Sequence, residues 1–284
     1  MSVVYKYCDG YGIEILRNLE IKIAPPNQFN DPFEFTPHII CSNTRRLAKR
    51  MVKEKAAIRE LYEQDKRQGT FKGNFRDYRK RHKANQPALL KLAASSLPVT
   101  LITLQKSLLD TVSAEFGILC MSKRRDSLLM WGHYCDKHKG IVIGFDDSNS
   151  FFKQVAGLRP VNYVRARVRI DEGAPDGHAE WLKCRDELVF SKNDEWRYEE
   201  ELRQLFMLSS LKKKTLKNGS VGYFCPVPSL AIVSVTMGMR TPSELEKEIQ
   251  SLLKGNAFSH VKPDKAILHQ SDFALDFEYK LNCK

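Results

Sequence analysis

Between Arg45 and Lys83 the chain carries 15 Lys and Arg residues against 5 Asp and Glu, and its apolar residues recur at helical rather than strand spacing. Leu47, Met51, Ile58 and Leu61 share one helical face, with Ser42 to Thr44 offering a cap and Gly69 a stop. Pro87 suits the first turn of another helix running through Leu97, and Leu101 to Val112 predicts a third. Strand patterns lie on both sides of this region. Residues 42–116 therefore read as a basic helical insertion within one domain that spans 1–284.

The flanking segments predict the strands. Val3 to Tyr7, Glu20 to Ala24, Gly117 to Met121, Gly140 to Phe145 and Val161 to Val164 have strand character, followed by Glu201 to Leu208, Val221 to Cys225, Ala231 to Met237 and Phe273 to Leu281. Helices are expected over Tyr11 to Asn18, Leu128 to Tyr134 and Ala179 to Phe190. Another is expected from a capping box at Thr241, Pro242 and Glu244 to about Leu253. Pro25, Pro26, Asn30, Asp31 and Pro32 make a rigid loop, since proline lacks the amide donor and Asn or Asp bonds its own downstream backbone. The expected class is α+β: a central, mostly antiparallel sheet, open to a split between its strands, flanked by helices.

Of the net charge of +12, the basic segment supplies +10, and the remaining 31 basic and 29 acidic residues nearly cancel. Such a concentrated surface suits a polyanion, and nucleic acid is the partner expected at Arg45 to Lys83; a solvated helix face is the alternative. No run approaches the roughly 18 apolar residues of a membrane span, and Met1 to Tyr11 lacks a signal peptide's apolar run, so a cytoplasmic protein without a membrane partner is expected. The seven cysteines have no paired short spacing and read as reduced thiols. His133, Cys135 and His138 match no zinc spacing, and no metal is expected.

Three segments hold the candidate chemistry. Tyr5 and Tyr7, two apart on a strand, point to one face and either line a pocket or pack in the core, next to the loop carrying Asn30, Asp31 and Glu34. Ser122, Arg124 and Arg125 follow a strand, and Trp131 and Tyr134 on the next helix either stack on a flat ring or fill the core. In the third, an extended chain would put Glu199, Glu201 and Arg203 on one side. Two adjacent carboxylates repel, so one needs a raised pKa or a cation such as Arg203, an arrangement suited to acid–base or oxocarbenium chemistry as well as to ordinary ion pairing.

Phe29 to Glu34, the Cys120 to Phe145 block with Ser122, Met130, Trp131, Tyr134 and Gly140, and the Trp196 to Arg203 block together resemble a bacterial family known as domain of unknown function 2971. More distantly, a tyrosine-bearing first strand, a central strand with a small hydroxyl residue before an aromatic helix, and a late strand entered by Glu199 and Glu201 resemble NAD-dependent ADP-ribosyltransferases. That resemblance implies NAD as substrate, Glu201 as catalytic carboxylate and Glu199 as the residue orienting the acceptor. It also implies Tyr5, Tyr7, Ser122, Trp131 and Tyr134 along the NAD site, Arg203 or Arg124 and Arg125 at the pyrophosphate, and Asn30 and Asp31 near the substrate. The chain lacks the first-strand histidine or arginine of the best-known patterns. The activity so implied is modification of nucleic acid or protein, in bacterial defence or as a toxin. Two alternatives are a noncatalytic nucleic-acid-binding module and a metal-dependent nuclease using Asp31, Glu34, Glu199 and Glu201. The chain has no glycine-rich phosphate loop, which disfavours a dehydrogenase or an NTPase.

Overall fold

A computed structural model describes residues 2–53, 55–154, 157–175, 177–216 and 219–279. Its strands, in chain order, are β1 (Val3–Cys8), β2 (Glu20–Ile23), β3 (His38–Ile40), β4 (Phe116–Ser122), β5 (Ile141–Asp146), β6 (Arg159–Pro160), β7 (Asn162–Val164) and β8 (Arg169–Asp171). Then come β9 (Ser191–Asn193), β10 (Glu201–Met207), β11 (Lys212–Thr215), β12 (Val221–Pro226), β13 (Ile232–Met237), β14 (Lys262–Leu268) and β15 (Leu275–Tyr279). The helices are α1 (Ile13–Asn18), α2 (Thr44–Lys53), α3 (Lys55–Arg67), α4 (Phe75–Ala84), α5 (Gln86–Ser95), α6 (Leu97–Glu115), α7 (Leu128–Tyr134), α8 (Gly177–Phe190) and α9 (Ser243–Leu253). The fold is α+β.

The chain divides into two units. The first comprises Met1–Glu34, Thr111–Arg165 and Phe190–Lys284, and the second Phe35–Asp110 and Ala166–Val189. An eight-stranded sheet in the order β15-β14-β13-β5-β1-β4-β10-β6 organises the first unit; within it β13 and β14 pair in parallel and the other neighbours pair antiparallel. Period-two alternation sorts its residues to two faces. Ile141, Ile143 and Phe145 of β5 join Val235 and Met237 of β13 and Ile249 of α9 in one core cluster, while Val142 joins Tyr7, Met130 and Trp131 on the other side. Gly140 enters β5 so close to β1 that a Cβ there would lie 2.0 Å from the Cys8 carbonyl oxygen.

The sheet opens at its centre. β1 pairs with β5 along its whole length, from Val3 to Cys8, and β4 pairs with β10 from Phe116 to Ser122. Between β1 and β4 there is one residue pair, Tyr5 with Ser122. Beyond it the strands diverge, and the Lys6 ammonium spans the gap to donate to the Cys120 carbonyl oxygen at 3.0 Å.

The second unit holds α2 to α5, most of α6 and α8, and the parallel pair β3–β8. Among the described residues no single helix is long and apolar enough to cross a membrane. Elements depart from expectation at several points. The face expected to run from Leu47 to Leu61 is divided between α2 and α3, and the Met51 side chain lies outside the described residues, as do Cys283 and the last two residues of the strand expected to reach Leu281. No capping box starts α9. Pro242 is its N-cap residue, and the Thr241 hydroxyl donates instead to the Gly140 carbonyl oxygen at 3.1 Å, pinning the turn before the helix to the start of β5.

Candidate active site

A cavity of about 380 Å³ fills the divergence of β1 from β4. Tyr5, Lys6 and Tyr7 line it from one strand and Cys120, Met121 and Ser122 from the other, with Met130, His133 and Tyr134 of α7, the loop residues Phe29 and Asn30, and four charged residues completing the wall. Those four are Glu34, Lys192, Glu199 and Glu201, all buried, and the half-buried Lys6 is a fifth charge on the wall.

Lys192 is their hub. Its ammonium lies 2.6 Å from Glu199 Oε2, 3.0 Å from Glu201 Oε2 and 3.5 Å from Glu34 Oε1. Behind it the wholly buried Arg203 donates from Nε to Glu201 Oε1 at 2.8 Å and from Nη2 to Glu34 Oε2. Three carboxylates thus meet two buried cations, and the Lys6 ammonium on the same wall brings the formal count level. Burial alone would raise the Glu201 carboxyl, but Arg203 and Lys192 outweigh it and hold the group down at about 2, ionised at neutral pH. For Glu34 burial prevails over the same two cations and its carboxyl is pushed up; its Oε1 has no hydrogen-bond partner. Burial opposes the charge on Lys192 too, yet its three carboxylate neighbours keep its pKa above the ordinary value.

Local backbone geometry aims the two late glutamates. Residues Asp194–Glu199 form a 3-10 turn that ends in Glu200, whose φ of 43° is left-handed, and β10 starts directly afterwards. Glu199 is therefore not on the strand, as an extended reading requires: the left-handed residue reverses the chain so that its carboxylate meets that of Glu201 at Lys192. Ser122 locks this turn by donating to the Glu199 carbonyl oxygen at 2.6 Å. The Tyr134 hydroxyl donates to Glu199 Oε1 at 2.7 Å, and burial followed by that carboxylate raises the phenol's pKa, so it stays a neutral donor.

Of the residues singled out in the sequence, Tyr5, Tyr7, Phe29, Asn30, Glu34, Ser122, Met130, His133, Tyr134, Glu199 and Glu201 border this one cavity. Trp131, Arg203, Arg124, Arg125 and Asp31 do not. Trp131 has no exposed surface; its indole N–H donates to the Arg125 carbonyl oxygen at 2.8 Å, and its ring stacks on His138 and meets the edge of Tyr7, so it packs behind the wall. Arg203 is enclosed behind Glu201 and Glu34 and offers no surface to a pyrophosphate. Arg124 pairs with Asp126 at 3.0 Å, Arg125 with Asp264 at 2.9 Å, and Asp31 accepts from the Phe33 amide in the turn that carries Asn30 to Glu34. Lys192 has no counterpart among the residues expected from sequence, because a lone lysine between a helix and an acidic turn has no local signature.

Residues 130–204 match the model of a family described as protein of unknown function (DUF2971). That segment contains Tyr134, Lys192, Glu199, Glu201 and Arg203, while Tyr5 and the loop with Asn30 and Glu34 precede it. No curated protein and no solved structure matches the chain.

Proposed function

We propose that this cavity binds the nicotinamide–ribose end of NAD and that the protein transfers the ADP-ribosyl group to an acceptor. The observation that carries the reading is an ionised, buried Glu201 facing a cavity walled by Tyr5, Tyr7 and Tyr134. The nicotinamide ring of NAD is a flat pyridinium cation, which suits tyrosine faces and the ionised carboxylate of Glu201. As the bond from the ribose anomeric carbon to the ring nitrogen breaks, its electron pair leaves with neutral nicotinamide and positive charge moves onto the sugar. A carboxylate fixed beside that carbon stabilises the transition state more than the ground state. The acceptor then bonds to the anomeric carbon and surrenders its proton to Glu199, from which it passes to solvent. Lys192 bridges the two glutamates against their repulsion, and Arg203 pairs with Glu201 from behind.

A metal-dependent nuclease is a poorer fit, since the Lys192 ammonium sits among Glu34, Glu199 and Glu201, and Asp31 is engaged in its own turn. For the partner, we propose nucleic acid at the basic helices, on the observation that Arg76, Arg79, Lys80 and Lys83 line one cleft of about 660 Å³ in the second unit. The enzymatic reading is tested by nicotinamide release from NAD in the presence of cell extract. Wild type is expected to release it, and Glu201→Gln to be slower by about 10²-fold or more, the scale of removing one electrostatic stabiliser of a transition state. Equal rates, with both proteins folded by circular dichroism, would rule it out.

A further inference from the structure

A second cavity of about 610 Å³ adjoins the carboxylate site and shares Lys6, Tyr7 and Tyr134 with it. The second is walled mainly by Tyr11, Ile15, Ile21 and Phe224, with Lys22, Asp9, Glu14 and Glu20 among them, and the Lys214 ammonium lies 4.9 Å from the centroid of the Phe224 ring on one face. Tyr11 is 70 % exposed, which is unusual for so large a ring and leaves its face available at the rim. The acids on this wall are already engaged. Asp9 accepts from the Tyr11 amide, Glu14 pairs with Arg17, and Glu20 pairs with Lys212 at 2.9 Å and with Lys214. At the junction of the two cavities stands Lys6, whose ammonium gives one hydrogen bond, to the Cys120 carbonyl oxygen, and has further N–H groups to direct at a ligand.

We infer that this second cavity is a nucleotide subsite, taking a heteroaromatic base against Tyr11 and Phe224 and placing its phosphates at Lys6, so that the two cavities together hold a dinucleotide. The inference rests on the reaction proposed above for the identity of the other half, but the subsite itself binds without it. An aromatic wall recognises any base through its π face, and a point charge at the neck recognises phosphate without fixing its orientation. A mononucleotide of nicotinamide would fill the first cavity and leave the second vacant.

The test is calorimetric titration of the full chain with NAD, nicotinamide mononucleotide, ADP and ADP-ribose, for wild type, Tyr11→Ala and Lys6→Gln. Tyr11 is exposed, and glutamine at position 6 keeps a donor for the Cys120 carbonyl, so both variants should fold. Wild type is expected to bind NAD about tenfold or more tighter than the mononucleotide, by the worth of one stacked base. Tyr11→Ala should erase that advantage while leaving mononucleotide affinity unchanged, and Lys6→Gln should weaken every one of the four, since each carries a phosphate. Binding of ADP that both variants abolish, without any turnover of NAD, would uphold the subsite and overturn the reaction. Failure of wild type to bind any of the four, or equal weakening of mononucleotide and dinucleotide in Tyr11→Ala, would overturn the subsite.

Discussion

At the scale of single residues, the site is governed by a count of charges on buried side chains. Removing Lys192 leaves three carboxylates facing Arg203 alone, and deleting one partner of a buried pair strands the other. Lys192→Met is expected to lower unfolding stability by about 3–5 kcal/mol in urea titrations; a loss under about 1 kcal/mol, the range of exposed pairs, would mean the cluster is solvated. The two carboxyls perturbed in opposite directions give opposite pH dependences. Glu201 is depressed to about 2, so the stability it lends is complete above its ordinary value of 4.5 and is lost as pH falls toward 2. Glu34 is raised, so the folded state holds its proton more firmly than the unfolded chain, and stability declines as pH climbs from 4.5 through the folded value. Glu34→Gln should therefore gain on wild type as pH rises across that window, and a difference that is flat with pH would contradict the assignment. This cluster is only partly legible in the sequence. Glu199 and Glu201 stand out because they are adjacent acids beside an arginine, whereas Lys192 becomes significant only once folding gathers Glu34 from the amino-terminal segment.

At the scale of elements, two devices set the site, a split in the sheet and a left-handed turn before β10. The split follows from geometry that local pattern does not encode. β1 and β4 each read clearly as strands, but that they share only the Tyr5–Ser122 pair depends on β5 and β10 drawing them to opposite sides. The aromatic helix α7 is legible at both ends, with Ser127 accepting from the Met130 amide as its cap. Which of its rings faces the cavity is not, because Trp131 and Tyr134 lie close on one helical face and the fold buries one and presents the other. The turn is open to test. Glu200 is exposed and holds φ at 43°, a conformation that glycine adopts freely and β-branched residues resist. Glu200→Gly should keep nicotinamide release near the wild-type rate, whereas Glu200→Val should displace Glu199 from Lys192 and Tyr134 and reduce it by about tenfold or more, as misplacement of catalytic groups does. Equal activity in the two variants would show that the turn does not position the site.

Across the whole molecule, the carboxylate cavity and the cleft lined by Arg76, Arg79, Lys80 and Lys83 belong to different units. The run of basic helices is evident, but residues 166–189 also belong to the second unit, held by the β3–β8 pair, in which His38 to Ile40 lies alongside Arg169 to Asp171. Two strands of three residues, far apart in sequence and paired in parallel, present no alternation long enough to read. If the basic cleft engages nucleic acid, replacing Arg76, Arg79, Lys80 and Lys83 by glutamine should weaken binding and flatten its salt dependence by about 0.7–0.9 in log–log slope for each phosphate no longer neutralised. Affinity that ignores both salt and these substitutions would assign the cleft to some other partner. The function proposed above places NAD in the opening between β1 and β4. Its most direct test is a crystal structure of Glu201→Gln with NAD. The nicotinamide ring is expected against Tyr5 and Tyr134, with the anomeric carbon beside position 201. NAD bound elsewhere, or a cavity holding only solvent at saturating NAD, would contradict it.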